Sequence, residues 1–265
     1  MDLLSDGYRT IRVRQNEDIC TLQLHRPETG NAINDLLIRE TSAALRACEA
    51  TAKIVVLEGL PDVFCSGADF DELRARFETG EGACASAPGQ DPRPLYDLWH
   101  RLATGPFVSV AHVRGRVNAG GVGFVSACDI VLSEEKAAFS LSELLFGLMP
   151  ACVMPFLVRR IGFAKANCLT LTTQPIQARQ ALEWGLVDAI EENSENLLRK
   201  QLLRLRRLGK DGIARYKRYA TELDPGLAHA RPKAIAANLE VFSDPGNLAS
   251  IARYVNTGKL PWESD

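Results

Sequence analysis

The stretch Pro106–Leu132, PFVSVAHVRGRVNAGGVGFVSACDIVL, decides the fold. Pro106 to Val113 reads as a strand rich in β-branched residues. Gly115 to Gly123 is glycine-rich and leads into a helix over Phe124–Cys128. Asp129 to Leu132 is a strand again. Strand, glycine turn, helix and strand in that order make a parallel β-α-β unit. Working outward, the N-terminal third has the same character. Tyr8 to Val13 and Ile19 to Leu24 read as strands, with the polar Arg14–Asp18 as the turn of a hairpin. His25-Arg26-Pro27 ends the second strand, because proline cannot serve a central ladder. Ile33, Leu36, Leu37, Thr41, Ala44 and Leu45 recur at spacings of three and four, which predicts a helix over Asn31–Ala50. Ile54–Glu58 is a short run with the look of a buried strand, and a second helix is expected from about Asp69.

Residues 78–94, ETGEGACASAPGQDPRP, break this pattern with three Gly and three Pro. They predict a surface loop, either an inert insertion or a lid. From about Pro155 onward the chain reads as almost wholly helical. Candidate helices cover 163–172, 177–184, 194–208, 211–223, 232–242 and 246–256. The expected organisation is an α/β core over residues 1–190 and a helical C-terminal portion over 191–265.

Composition bounds the function. The chain has 265 residues, 46% of them hydrophobic and 24% charged, which excludes wholesale disorder. A formal net charge of −2 gives nucleic acid no global electrostatic claim. No apolar run approaches the roughly 18 to 20 residues that span a bilayer. The start, MDLLSDGYRT, lacks the basic and apolar regions of a signal peptide. Seven cysteines, an odd number without a CxxC, offer no disulfide framework and no zinc knuckle. They fit reduced thiols in the cytoplasm. Cys65 with Asp62 and Asp69 is the only close His/Cys/acid cluster and lacks a ligand set, so no metal is expected.

Three segments carry chemistry together. Phe64-Cys-Ser-Gly-Ala-Asp-Phe70 ends a strand, turns at a glycine and begins a helix. Amides at a helix start are unpaired and can receive an oxyanion, although an Asp there also serves as a plain cap. Arg114-Gly-Arg-Val-Asn-Ala-Gly-Gly-Val-Gly123 again presents bare amides, or else uses its glycines for tight packing. It lacks the dinucleotide GxGxxG and a Walker lysine. Ser140-Leu-Ser-Glu-Leu-Leu-Phe-Gly147 sets one carboxylate among Phe139, Leu141, Leu144, Leu145 and Phe146. Desolvation there raises a carboxylate's pKa toward the range of proton transfer near neutrality. No GxSxG elbow is present, which argues against a serine hydrolase. His25, His100, His112 and His229 are scattered. His112 stands out because it ends the strand feeding the glycine-rich loop.

Together these segments resemble the crotonase, or enoyl-CoA hydratase/isomerase, superfamily. The resemblance runs from about Tyr8 to Trp262 and includes HRPE-x-x-NAIN (His25–Asn34), CSGADF, NAGG, SELLFG and QARQALEWGLVD (Gln177–Asp188). It implies a ββα spiral core with a helical C-terminal trimerisation portion, assembled as a homotrimer or a pair of trimers. It implies an oxyanion hole made by the backbone amides of Ala68 and Gly120, and proton transfer by Glu143. Hydratases of the family carry a second glutamate where this chain has Gly123. The glycine-rich stretch that usually follows the third motif reads Pro150-Ala-Cys-Val-Met-Pro155.

A narrower resemblance rests on NAGG-x-GF, SLSELLFGLMPACVMPFLVRRIGF, VFSDPGNL-x-x-IARYV and GKLPW. These look like the dehydratases of polyketide β-branching cassettes. That likeness implies dehydration of 3-hydroxy-3-methylglutaryl-acyl carrier protein to the 3-methylglutaconyl form, without a cofactor. The substrate rides on the phosphopantetheine of a polyketide synthase carrier protein or on coenzyme A. Asn118 or His112 would position substrate or assist the leaving hydroxyl. The basic run Arg199–Arg218, with Arg206 and Arg207, either docks the acidic carrier, forms a subunit contact or is a solvated face. The alternatives are a Δ3,Δ2-enoyl isomerase, the cassette's decarboxylase and a non-catalytic carrier-binding subunit.

Overall fold

The computed structural model describes residues 7–72, 74 and 91–263. Its plan is a β-β-α unit wound three times, each turn giving one strand to a large sheet and one to a small sheet. An antiparallel hairpin, β1 (Ile11–Asn16) and β2 (Ile19–Leu24), opens the chain and is followed by α1 (Asp35–Cys48). The first turn contributes β3 (Ile54–Glu58), β4 (Val63–Cys65) and α2 (Arg93–Thr104). The second contributes β5 (Val108–Val113), β6 (Arg116–Asn118) and α3 (Gly120–Ala127). The third contributes β7 (Ile130–Glu134), β8 (Ala138–Ser140), a 3-10 turn (Glu143–Phe146) and α4 (Met154–Ile161). Beyond these lie α5 (Phe163–Thr172), β9 (Ile176–Gln177), α6 (Ala178–Trp184) and β10 (Ala189–Glu191). Helices α7 (Ser194–Leu205), α8 (Lys210–Leu223), α9 (Gly226–Ser243) and α10 (Pro245–Thr257) complete the chain.

The large sheet has the order β1-β2-β3-β5-β7-β10, parallel from β2 onward. The small sheet runs β4-β6-β8-β9, its first three strands parallel. Every residue of β3 is buried, as a central parallel strand covered on both faces requires. The main core fills the space between the sheets and helices α1 to α4. Trp99, Tyr96, Phe64, Phe107, Phe124, Phe139 and Phe156 are its largest members. Each such side chain contributes on the order of 1.5–3 kcal/mol by leaving water. The outer face of the large sheet packs Val56, Val110 and Leu132 against Leu198 and Leu205 of α7. Sheet and spiral match the expected α/β class.

Several boundaries differ from the sequence reading. Strand β1 starts at Ile11 and runs to Asn16, so only Glu17 and Asp18 turn the hairpin. Helix α1 starts at Asp35, because Asn31 is left-handed (φ 58°) and Asn34 caps the helix by accepting from the Leu37 amide at 2.9 Å. Helix α2 was unread, and β6, β8, β9 and β10 are strands of two or three residues in stretches read as loop or helix. Helix α3 starts at Gly120 rather than Phe124. Helix α9 starts at Gly226 and carries Pro232 in its interior instead of beginning there. Burial of Leu227, Ala234 and Ile235 outweighs the lost amide.

The loop expected over 78–94 falls outside the described residues as far as 90, and Arg93 and Pro94 already belong to α2. Of the helix expected from Asp69, Phe70–Glu72 is helical. Among the described residues no helix is long and apolar enough to cross a membrane.

Candidate active site

Strands β4, β6 and β8 are adjacent and parallel, so the loops leaving their C-terminal ends meet in space. Those loops are the three motif segments. They open onto one cavity of about 950 Å³, large enough for a small-molecule ligand. Ala68, Asn118, Gly120 and Glu143 all line it, and His112 does not.

The first loop is held from below by the HRPETGNAIN segment. Asn31 is fully buried, accepts from the Arg26 amide (2.7 Å) and donates to the Phe64 carbonyl (3.0 Å). The Ser66 amide donates to Gly30, and the Ile33 amide donates to Gly67. Ile33 then pairs with Ala68 in a parallel bridge that uses the Gly67 carbonyl and the Asp69 amide. Ala68's own N–H therefore points away from Ile33. Asp69 is more than a cap: it is buried, accepts from the Glu72 amide at 3.1 Å and pairs with Arg26 at 2.9 Å.

The second loop supplies the other amide. Gly120 is the first residue of α3, where an N–H has no intrahelical partner. Ala119 before it holds φ 50° and ψ −122°, a conformation most residues avoid. Its amide donates to the Ser140 carbonyl at 3.0 Å, which fixes the turn. A Cβ on Gly120 would fall 2.7 Å from Ile33, and one on Gly121 would fall 2.8 Å from the Cys65 carbonyl. A Cβ on Gly67 would fall 2.8 Å from the Ala119 methyl. The glycines let the two amide-bearing turns lie against each other.

Glu143 opens the third loop. It is partly buried, and its Oε2 is sealed from solvent without a hydrogen-bond partner among the described residues. Burial pushes its pKa up to about 7, against the weaker pull of its own amide and that of Ser142. Asn118 ties the three loops together. Its Nδ2 donates to the Ser66 carbonyl (3.2 Å) and to Ser142 Oγ (2.9 Å), and its Oδ1 accepts from Ser140 Oγ (2.8 Å).

Position 123 is closed to any side chain. A Cβ built there would lie 2.6 Å from the Trp99 ring. Trp99 is 1% exposed, makes edge contacts with Phe124 and Phe156, and leaves its Nε1 without a partner among the described residues. The space beside Gly123 is filled by an indole from α2, which the sequence reading missed. The signal was present, since Leu95, Leu98, Trp99 and Leu102 recur at helical spacing.

His112 faces elsewhere. Strand alternation puts Val108, Val110 and His112 on the α7 side of the large sheet. There His112 Nε2 lies 2.8 Å from Ser194 Oγ and Nδ1 lies 3.3 Å from Glu58, all three groups buried. That placement corrects its expected role at the substrate. The basic run also divides. Lys217 is buried against Asp129, Lys210 donates to the carbonyls of Glu49 and Ala52, and Lys200 pairs with Glu191. Arg206 is half-buried near Asp18, while Arg199 and Arg204 on α7, Arg207 in the turn that follows, and Arg215 and Arg218 on α8 stay exposed. Among the described residues no group of three or more His, Cys, Asp or Glu is placed to hold a metal ion.

Comparison with known proteins places these features. Residues 14–265 match the Enoyl-CoA hydratase/isomerase family. The chain is 54% identical over 264 residues, 99% of each chain, to the bacillaene synthase dehydratase PksH of Bacillus subtilis strain 168. A crystal structure assigned to a polyketide biosynthesis enoyl-CoA hydratase, pksH, of Bacillus subtilis superposes with a TM-score of 0.92 at 53% identity. It covers 96% of this chain and 100% of that one. An enoyl-CoA hydratase/isomerase from Xanthobacter autotrophicus Py2 superposes with a TM-score of 0.84 at 25% identity, covering 95% of both chains.

Proposed function

This chain belongs to the enoyl-CoA hydratase/isomerase family, and from that premise we propose that it is a hydro-lyase of polyketide β-branching. Its reaction is dehydration of 3-hydroxy-3-methylglutaryl-acyl carrier protein to 3-methylglutaconyl-acyl carrier protein. The observation that carries this reading is the pairing of Glu143 with a walled-off position 123. Both directions of a hydro-lyase share one transition state, so a single group that takes the C2 proton and returns it to the C3 oxygen suffices without a second carboxylate at 123.

The scheme follows from the cavity. The thioester carbonyl oxygen accepts from the Ala68 and Gly120 amides. Glu143, as carboxylate, removes the C2 proton, and the electron pair moves onto that oxygen. One such backbone donor contributes on the order of 3 kcal/mol to the transition state. Protonated Glu143 then hands its proton to the C3 hydroxyl. Water leaves, the C2–C3 double bond forms and Glu143 is a carboxylate again. A group with a pKa of about 7 suits both roles. Asn118 acts by fixing the loops around the reacting atoms, since its amide group is committed to Ser66, Ser140 and Ser142.

The acyl group is carried on the phosphopantetheine of a polyketide synthase carrier protein, with no further cofactor, and the enzyme works in the cytoplasm. Exposed arginines of α7 and α8 offer the acidic carrier an encounter surface. The assembly is a homotrimer or a pair of trimers, supported by exposed Leu203, Tyr216, Tyr219 and Leu223 on those helices and Leu208 between them. Light scattering of the purified protein reads it directly.

The test is intact-protein mass spectrometry of the loaded carrier with and without the enzyme. Loss of one water mass, abolished by Glu143→Gln, supports the reading. Loss of carbon dioxide from the methylglutaconyl carrier identifies a decarboxylase instead. Silence in both assays leaves the isomerase or a carrier-binding subunit.

A further inference from the structure

The wall of the cavity opposite α9 and α10 is one face of the small sheet. Alternation along its strands sends Val117, Phe139 and Ile176 into the core and leaves Arg116, Asn118, Ala138, Ser140 and Gln177 facing the cavity. The register sets Arg116 beside Val63, and Ala138 beside Gln177. Arg116 is the one cation that lines the cavity among the described residues. Its exposed guanidinium has no carboxylate partner there, unlike Arg26, Arg114 and Arg160, which are all paired. The remaining charged lining is acidic: Glu28, Asp35, Asp71, Glu72 and Asp91 join Asp69 and Glu143. An anionic ligand entering this cavity therefore finds a single favourable end.

We infer that Arg116 is the anion-binding residue of this site, holding an oxyanion borne by the substrate. Arg116 and Asn118 are two residues apart on one strand face, roughly 6.6 Å between Cα atoms. An arginine fork at that distance from the loops of the reacting centre reaches an acidic group on the ligand and can bind it bidentately. Two parts of a carrier-bound diacid present such a group: the terminal carboxylate of the acyl chain and the phosphate of the phosphopantetheine arm. The inference deepens the dehydratase reading and rests on it only for the identity of the acyl group.

Binding rather than turnover separates the two questions. Full-length wild type and Arg116→Gln are titrated calorimetrically with four unreactive thioesters. Glutaryl-pantetheine bears the carboxylate alone, and butanoyl-phosphopantetheine bears the phosphate alone. Glutaryl-phosphopantetheine bears both, and butanoyl-pantetheine bears neither. Arg116→Gln is expected to weaken the doubly anionic ligand roughly ten- to hundredfold, as the loss of a charged hydrogen bond does. Arg116→Lys should recover part of that loss. A loss that persists for glutaryl-pantetheine assigns the carboxylate, and one that persists for butanoyl-phosphopantetheine assigns the phosphate. Butanoyl-pantetheine should bind both proteins equally. Equal weakening of that neutral thioester, or unchanged binding of all three anionic ligands, overturns the inference. The water-loss assay run alongside reports on the reaction alone.

Discussion

Gly67 and Ala119 lie back to back, so close that a methyl added to Gly67 would fall 2.8 Å from the Ala119 methyl. The turns that carry the Ala68 and Gly120 amides are spaced by that missing carbon. Gly67 also holds φ 102°, which side chains rarely adopt. Gly67→Ala should therefore push the two amides apart. Expected is a fall in kcat of about 10²-fold or more, the scale of one lost oxyanion donor. A thermal melt checks that the fold survives, and a variant with wild-type turnover would show that the two amides do not act as a pair.

Trp99 occupies the room a side chain at 123 would need. Restoring a glutamate by Gly123→Glu should not create a hydratase. It should destabilise the protein by about 1–3 kcal/mol or more through overpacking and an unpaired buried carboxylate. Combining it with Trp99→Ala should return part of that stability. A double-mutant cycle by chemical denaturation measures the coupling, and strict additivity would refute the overlap.

Glu143 also makes a thermodynamic prediction. Burial raises its pKa to about 7, above the usual carboxylate value of 4.5. The folded state then holds a proton that the unfolded chain releases between these values. Its contribution to stability is complete below the unfolded pKa and is lost as pH rises through about 7. In the proposed scheme the base is the carboxylate, so activity follows the opposite sense and kcat/KM should climb toward a plateau through the same range. Glu143→Gln should abolish turnover and remove this component of the stability profile. Denaturation midpoints from pH 4 to 8.5 in both proteins test it.

Asn118 bridges three loops by its amide alone. Asn118→Ala should cost about 1–3 kcal/mol of stability. The catalytic loss should fall mainly on kcat rather than KM, because the turn bearing Glu143 loses its tie through Ser142. Asn118→Asp keeps the acceptor for Ser140 and loses both donors, so its rate should resemble that of the alanine variant. A defect confined to KM would instead mean that Asn118 acts on ligand affinity.

His112 tests the strand reading. Its imidazole lies between Glu58 and Ser194 beneath α7. His112→Leu should lower the melting temperature, since it takes one hydrogen-bond partner from each of the buried Glu58 and Ser194 groups, which keep Arg14 and Glu134. The kcat and KM of the protein that remains folded should stay near wild type. A selective loss of kcat at full stability would return His112 to the chemistry.

What was legible in the sequence depended on whether the deciding physics is local. Glu143 among five apolar neighbours announces its own desolvation, and the glycines at 67, 120 and 121 announce close backbone approach. The long strands β2, β3 and β5 and helix α1 carry enough period to be read. Strands β6, β8 and β9 have two or three residues each, too few for any period, and exist because neighbouring strands supply the ladder. His112 was drawn toward the site by nearness in sequence, although alternation from Val108 and Val110 already set it on the other face. Trp99 was missed for a different cause. Its part in the site comes from meeting Gly123 across 24 positions of chain, a contact only the wound fold makes.

The proposal of a single working carboxylate has a stereochemical consequence. If Glu143 both takes the C2 proton and delivers it to the C3 oxygen, the two bonds must break on the same side of the acyl chain, within reach of one carboxyl group. The elimination is then syn. The oxygen leaving as water should carry the hydrogen lost from C2 whenever collapse outruns exchange with solvent. A substrate deuterated at one prochiral C2 position would lose its label completely, and its mirror-labelled twin would keep it.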